Sequence, residues 1–325
     1  MTRLQSRPSG HPLQRGSRSD GLARRRPRRR RDTIWLIGPT VAIIVFFFIG
    51  PVIYNGVLAL QEVTLFQAGG TGGTWVGLDN FVDLLQDQST YAIFGNSAFW
   101  LTVVTVAARI VLGLGLALMV NAVILGSVKL RWLARSLVVV PWAVPPVVAI
   151  VLWKFLLDPR DGAINEILVG TGIVEAGIPF LQQVSTVWLG IQTIVVWREL
   201  PLVVLTILAG LQTISPEQYE AAEIDGAGWW KRLWHITLPN LRSSIAVIAL
   251  LTTIWTFNNF IYVWLSTKGG PGTFTEVLGT AIYREAFVDY DVGRASALSL
   301  LATLVMAIFA VVYFVRVYQR RGEDS

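Results

Sequence analysis

An all-α, polytopic membrane fold is what this sequence predicts, and three observations carry it. Mean hydropathy is +0.56 and 53% of residues are hydrophobic. Only 15% are charged, where soluble domains average about 25%. Apolar stretches of about 20 residues recur, the length that crosses about 30 Å of hydrocarbon. A large soluble core is the alternative. Its helices would show an apolar stripe, whereas these runs are apolar on all faces.

Six spans follow in order, at 34–58, 98–123, 134–157, 185–211, 243–266 and 294–317. They make one transmembrane domain over 33–318, with a basic tail at 1–32 and a short tail at 319–325. The first span holds Pro39 and Pro51, which membrane helices tolerate better than soluble ones do. Eleven arginines lie in residues 1–31, and without them the formal charge of +6 would become negative. A basic tail can signal nucleic acid. This one abuts an apolar run, so topology and anionic lipid headgroups explain it, and no nucleic-acid partner is expected. Rich in Arg, Ser, Gly and Pro, it reads as disordered. A cleaved signal peptide does not fit, because the apolar run is too long and no small-residue cleavage site follows it.

The loops alternate in sign. Loop 59–97 has no Lys or Arg but has Asp79, Asp83 and Asp87; loops 158–184 and 267–293 are net acidic. The opposite side collects the arginine tail, Lys129, Arg131 and Arg135, then Lys231, Arg232 and Arg242, then Arg316, Arg320 and Arg321. The excess of positive charge on cytoplasmic loops puts both termini in the cytoplasm. Among the outer loops, "LDNFVDLL" (78–85) reads as a short amphipathic helix capped by Asp79.

Between spans four and five lies "ISPEQYEAAEIDGAGWWKRLWHITLPN" (214–240). Ser215, Pro216 and Gln218 read as a helix start with a capping box. Glu217, Glu220 and Glu223 suit the positive end of the helix dipole, and Ala221 and Ala222 form helix with little bulk. The helix stops at Asp225-Gly226, where glycine supplies the turn. A second helix, with Asp225 as its cap, carries Trp229, Trp230, Leu233, Trp234 and Ile236 and ends at Leu238-Pro239. A plain amphipathic connector is the alternative for this segment.

The run Glu220-Ala221-Ala222, then Asp225-Gly226-Ala227, then Ile236-Thr237-Leu238-Pro239, resembles the cytoplasmic signature loop of ABC importer permeases. "ILAGLQTISPEQYEAA" (207–222), "STKGGPGTFTEVLGTAIYREAF" (266–287) and "DVGRASALS" (291–299) resemble the sugar-importing branch, of maltose and glycerol-phosphate type. The resemblance covers nearly all the chain after residue 33. It implies a coupling helix, with Glu220, Ala221, Ala222, Asp225, Gly226 and Ala227 as the contact to ATPase subunits. It also implies a second homologous permease subunit, two nucleotide-binding ATPase subunits, an extracytoplasmic substrate-binding protein, and transport by alternating access. No Walker-type phosphate loop is present, so this chain is expected to bind no cofactor, with ATP and Mg held by the partner subunits and no enzyme activity of its own.

Ionisable groups inside spans are functional candidates by default. Trp197, Arg198 and Glu199 in span four, and Trp255, Asn258, Asn259 and Tyr262 in span five, form the candidate substrate path: amides hydrogen-bond sugars and aromatic rings stack on them. Helix packing, interhelical hydrogen bonds and an aromatic belt are the alternatives. Arg109 and Lys154 read as structural or snorkelling groups. With no cysteine and two histidines, no metal site is expected. A secondary carrier and a membrane-embedded enzyme are the other function classes. The first commonly shows inverted repeats; the second needs a catalytic constellation at the membrane boundary, which is missing here.

Overall fold

The computed structural model describes residues 37–70, 72–123 and 128–322. The basic tail and the last three residues lie outside them. Two compact units divide the chain, Met1–Ile53 and Tyr54–Ser325. The described part of the first is helical, with a π-turn at Val45–Ile49 and no buried side chain.

Twelve helices run in order among the described residues: α1 (Ile37–Ala59), α2 (Asp79–Gln86), α3 (Gln88–Ala122), α4 (Val128–Ala143), α5 (Pro146–Leu156) and α6 (Ala163–Gly170). Then come α7 (Val187–Leu211), α8 (Pro216–Ile224), α9 (Trp229–Phe257), α10 (Ile261–Ser266), α11 (Leu278–Phe287) and α12 (Val292–Gly322). One two-stranded antiparallel ribbon pairs Gln61 with Trp75 and Glu62 with Thr74. Five helices (α1, α3, α7, α9 and α12) are long and apolar enough to cross a membrane. The bent pair Trp132–Ala143 and Pro146–Leu156, which meet at 96°, makes a sixth span if counted as one. The bend has a covalent cause: Pro145 and Pro146 supply no N–H to the last carbonyls of α4, so the helix cannot continue.

Helix α7 is the hub. It packs against α3, α4 and α9, and half of its most apolar window is buried. Its first half enters a cluster with Leu101, Ile150, Tyr262 and Val263, its second half one with Ala117, Val120, Leu241 and Ile248. Helices α3 and α7 run side by side in the same direction. Gln192, near the start of α7, donates to the Trp100 carbonyl of α3 at 2.9 Å, and Gly113 faces Val203 further along. A Cβ on Gly113 would lie 2.7 Å from Val203 Cγ1, so the glycine is what lets the two backbones approach. Gly113→Leu is expected to cost about 1–3 kcal/mol through overpacking, read as a lower melting temperature of the purified complex.

At the end of the spans away from α8, one arginine joins three elements. Arg294 on α12 donates to Asp87 at 2.9 Å, just before α3, and to Glu285 on α11 at 3.3 Å. Arg284 pairs with Glu276 at 2.7 Å beside them. Burial pushes the Glu276 and Glu285 carboxyls above the usual range, and Arg284 and Arg294 oppose the shift. Asp87 is held below it, chiefly by hydrogen bonds from Ser89 and also by Arg294.

Several local expectations are corrected. Asp79 does not cap α2: Leu78 occupies the cap position with no side-chain bond, and Asp79 is the first helical residue. The chain arrives through Gly77 at φ +65°, which sets the start one residue early. Ser215 is the cap residue of α8 but makes no side-chain cap bond. Gln218 closes no capping box either, because its Oε1 accepts from Asn240 of α9 at 3.0 Å; a tertiary partner outbids the local one. Asp225 caps the end of α8, and the cap residue of the next helix is Gly228. That next helix does not end at Leu238-Pro239. It runs on to Phe257, because the π-turn Leu233–Thr237 widens the helix just before Pro239, where the ring would otherwise meet the carbonyl four residues back.

Candidate functional site

Two places concentrate chemistry, the α8 turn at one end of the spans and a charged cavity between them. Helix α8 buries none of its residues, and Ile224 is 86% exposed. It is nonetheless rooted. Tyr219 reaches back so that its hydroxyl lies 3.0 Å from Thr237 Oγ1, and its ring packs on the cluster around α7. The preceding Ile214 is buried in that cluster.

The C-terminus of α8 closes in both bonds of a Schellman motif. Ala227 N–H donates to the Ala222 carbonyl at 2.8 Å and Gly226 N–H to the Glu223 carbonyl at 3.0 Å, with Gly226 at φ +74°, a conformation glycine adopts freely and other residues do not. Arg232 pairs with Glu223 across the turn at 3.2 Å. The result holds Glu220, Ala221, Asp225 and Gly226 exposed and Ala222 and Ala227 half-buried. Trp229 and Trp230 follow as an exposed edge-to-face pair with centroids 4.6 Å apart.

The cavity has a volume of about 710 Å³. Helices α3, α4, α7 and α9 wall it, and Arg109, Trp142, Arg198, Glu199, Trp255 and Asn259 are among its lining. Arg198 Nη1 lies 2.7 Å from Glu199 Oε1. Its Nε donates to the Val144 carbonyl at 3.3 Å and its Nη2 to the Trp142 carbonyl at 3.4 Å. Both carbonyls lie at the negative end of the α4 dipole, and the Trp142 carbonyl is the one that Pro146, four residues on, cannot satisfy. Glu199 Oε1 also accepts from the Tyr262 hydroxyl at 2.8 Å. Arg109 is 2% exposed and donates to the Thr256 hydroxyl and, at 3.4 Å, to the Thr105 carbonyl.

The seven span residues singled out in the sequence divide. Arg198, Glu199, Trp255 and Asn259 line the cavity. Tyr262 joins it through Glu199 and is itself buried. Trp197 packs edge-to-face on Trp153 at 5.7 Å. Asn258 turns back onto its own helix, donating to the Ile254 carbonyl at 2.9 Å. Asn259 has a second contact, accepting from Tyr262 N–H at 3.3 Å. Arg109, read from the sequence as a structural or snorkelling group, also lines the cavity, as does Thr256, which the sequence reading did not single out. The available signal for Arg109 was a single cation in an otherwise apolar run. Lys154 donates to the Leu265 carbonyl at 3.2 Å, at the end of α10. Among the described residues no group of three His, Cys, Asp or Glu could hold a metal ion.

The chain is thus a polytopic helical bundle with an exposed helix–turn at one end and a charged cavity within it. Residues 109–321 match the family model described as binding-protein-dependent transport system inner membrane component. The diacetylchitobiose uptake system permease protein DasB of Streptomyces coelicolor is 28% identical over 291 residues, 89% of this chain and 87% of the relative. The sulfoquinovosyl glycerol transport system permease protein SmoG of Agrobacterium fabrum is 29% identical over 282 residues, 86% of this chain and 88% of the relative. In fold, the chain is similar to a crystal structure of a bacterial ABC transporter involved in import of the acidic polysaccharide alginate, with a TM-score of 0.71 at 24% identity over 90% of this chain and 98% of the other. The chain belongs to this family: it is a multi-pass inner membrane component of a binding-protein-dependent transport system, a permease subunit of an ABC importer.

Proposed function

We propose that this chain forms half of the translocation path of a carbohydrate importer, with α8 as the element that docks on a separate ATPase subunit. The observation that carries the docking role is α8 itself: without a buried residue, closed by its Schellman turn, and rooted to the spans by Tyr219. Ala221 and Ala222 leave room for another surface to approach, Glu220 offers an anion to a basic partner, and Asp225, Gly226 and Ala227 fix the turn.

The assembly then comprises a second homologous permease subunit, two ATPase subunits holding ATP and Mg, and an extracytoplasmic binding protein. This chain holds no cofactor. The excess of basic residues on the α8 side puts that side, and both termini, in the cytoplasm. Carbohydrate as solute is supported by the relatives, whose names give diacetylchitobiose and sulfoquinovosyl glycerol, and by the aromatic and amide groups along the cavity wall.

The chain has no cysteine, so a single introduced thiol reports its own neighbourhood. Ala221→Cys is expected to cross-link to a cysteine placed in the ATPase subunit's docking groove, and to do so in the assembled complex only. A functional complex in which no groove position cross-links sinks the docking role. For the solute path, Asn259→Ala is expected to lower uptake about tenfold, the scale of one lost polar contact, while Asn258→Ala has little effect. The reverse order would move the path away from this cavity.

A further inference from the structure

The cavity wall carries unbalanced charge. Arg109 and Arg198 bring two guanidiniums and Glu199 the one carboxylate. Arg198 is engaged, by Glu199 at 2.7 Å and by the carbonyls of Val144 and Trp142. Glu199 is engaged in turn, its Oε1 accepting from both Arg198 and Tyr262. Arg109 differs. It is 98% buried, its hydrogen bonds go to the neutral Thr105 carbonyl and Thr256 hydroxyl, and none of the ion pairs among the described residues includes it; the carboxylate that attracts it, Glu199, is already shared by Arg198 and Tyr262.

A tie between α3 and α9 does not need a charge. A neutral donor could tie these helices without the cost of holding a cation in a membrane span, which runs to several kcal/mol when the cation has no carboxylate of its own. The position therefore favours a visiting anion. We infer that Arg109 is the recognition group for an anionic substituent on the transported solute, so that the cavity admits carbohydrates bearing a carboxylate, sulfonate or phosphate in preference to neutral ones. This rests on the carbohydrate reading above. The volume of about 710 Å³ falls inside the range of roughly 300–1,000 Å³ usual for small-molecule sites. Trp142 and Trp255 give the wall aromatic surface for the sugar rings, while Arg109 supplies what a neutral sugar would leave unused.

The test uses the whole importer with its binding protein in proteoliposomes. The probes are matched saccharides: digalacturonate against galactobiose, cellobiouronate against cellobiose, and glucose 6-phosphate and sulfoquinovose against glucose. Uptake of the acidic members is expected to exceed that of their neutral counterparts at least about tenfold, as one charge-assisted contact allows. Arg109→Gln is expected to erase the preference and Arg109→Lys to keep most of it. Equal uptake of neutral and acidic members by the wild-type complex overturns the inference whatever the variants do. So does an assembled, ATP-hydrolysing Arg109→Gln complex that keeps the preference. If an assembled complex that hydrolyses ATP takes up no saccharide of either kind, the carbohydrate reading itself fails and the inference falls with it.

Discussion

Gly226→Pro is expected to reduce ATP-driven uptake to less than about a tenth of wild type while the chain still inserts and assembles its spans. Gly226 sits at φ +74°, which proline, locked near −65°, cannot adopt. Proline also removes the N–H that donates to Glu223 at 3.0 Å. Both changes break the turn that holds α8 against the start of α9, and neither touches a membrane-spanning residue. The measurement is paired: uptake into vesicles, and the rise in ATP hydrolysis on adding loaded binding protein. Uptake should fall and the rise should vanish, with basal hydrolysis retained. Gly226→Ala is the graded control, costing about 1 kcal/mol for a left-handed alanine and leaving the N–H in place. A Gly226→Pro complex that transports at the wild-type rate would remove α8 from the coupling role.

Glu199→Ala should be the most damaging single change inside the spans. It leaves Arg198 without its 2.7 Å partner and Tyr262 without its acceptor. Removing one member of a buried pair costs about 3–5 kcal/mol; these side chains are 17% and 15% exposed, which puts the expectation near the lower figure. The purified complex should lose several degrees of thermal stability, and uptake should be lost. The double change Arg198→Met with Glu199→Ala removes the orphaned charge, so stability should return in part while uptake does not. If the double variant is no more stable than the single, the pair is not the source of the cost. Uptake that survives in the double variant would place the solute path elsewhere.

How much of this was legible beforehand depended on range. The spans were written in composition: α7 shows the same apolar character on every face, and the basic residues cluster on alternate loops. Asp225-Gly226 announced its turn because the positive φ is a one-residue requirement. Caps failed where a distant residue intervened. Gln218 is bonded to Asn240, 22 residues on, and nothing at 215–218 signals that. The Pro145-Pro146 pair carried the signal for the bend in the third span, but its angle, and the Trp142 carbonyl it hands to Arg198, needed the packing of α4 on α7. The cavity was the least legible feature. Arg109 and Thr256 are 147 residues apart, and periodicity within one helix does not report what another helix brings to it. Asn258 and Asn259, adjacent and identical in type, part company because one falls within reach of its own helix's last turn and the other beyond it.

The unbroken helix α9 has a mechanical consequence. Its π-turn lets 29 residues pass from Trp229 to Phe257 as one rod, on the order of 40 Å at 1.5 Å per residue. One end is tied to α8 through Arg232 and Thr237; the other carries Trp255 and Thr256 on the cavity wall. The first interruption comes after Phe257, at Asn258–Phe260, before α10 resumes. A displacement of α8 therefore need not be relayed from side chain to side chain. In the coupling proposed above it would tilt the rod, and the wall that bears the Arg109 contact would swing with it.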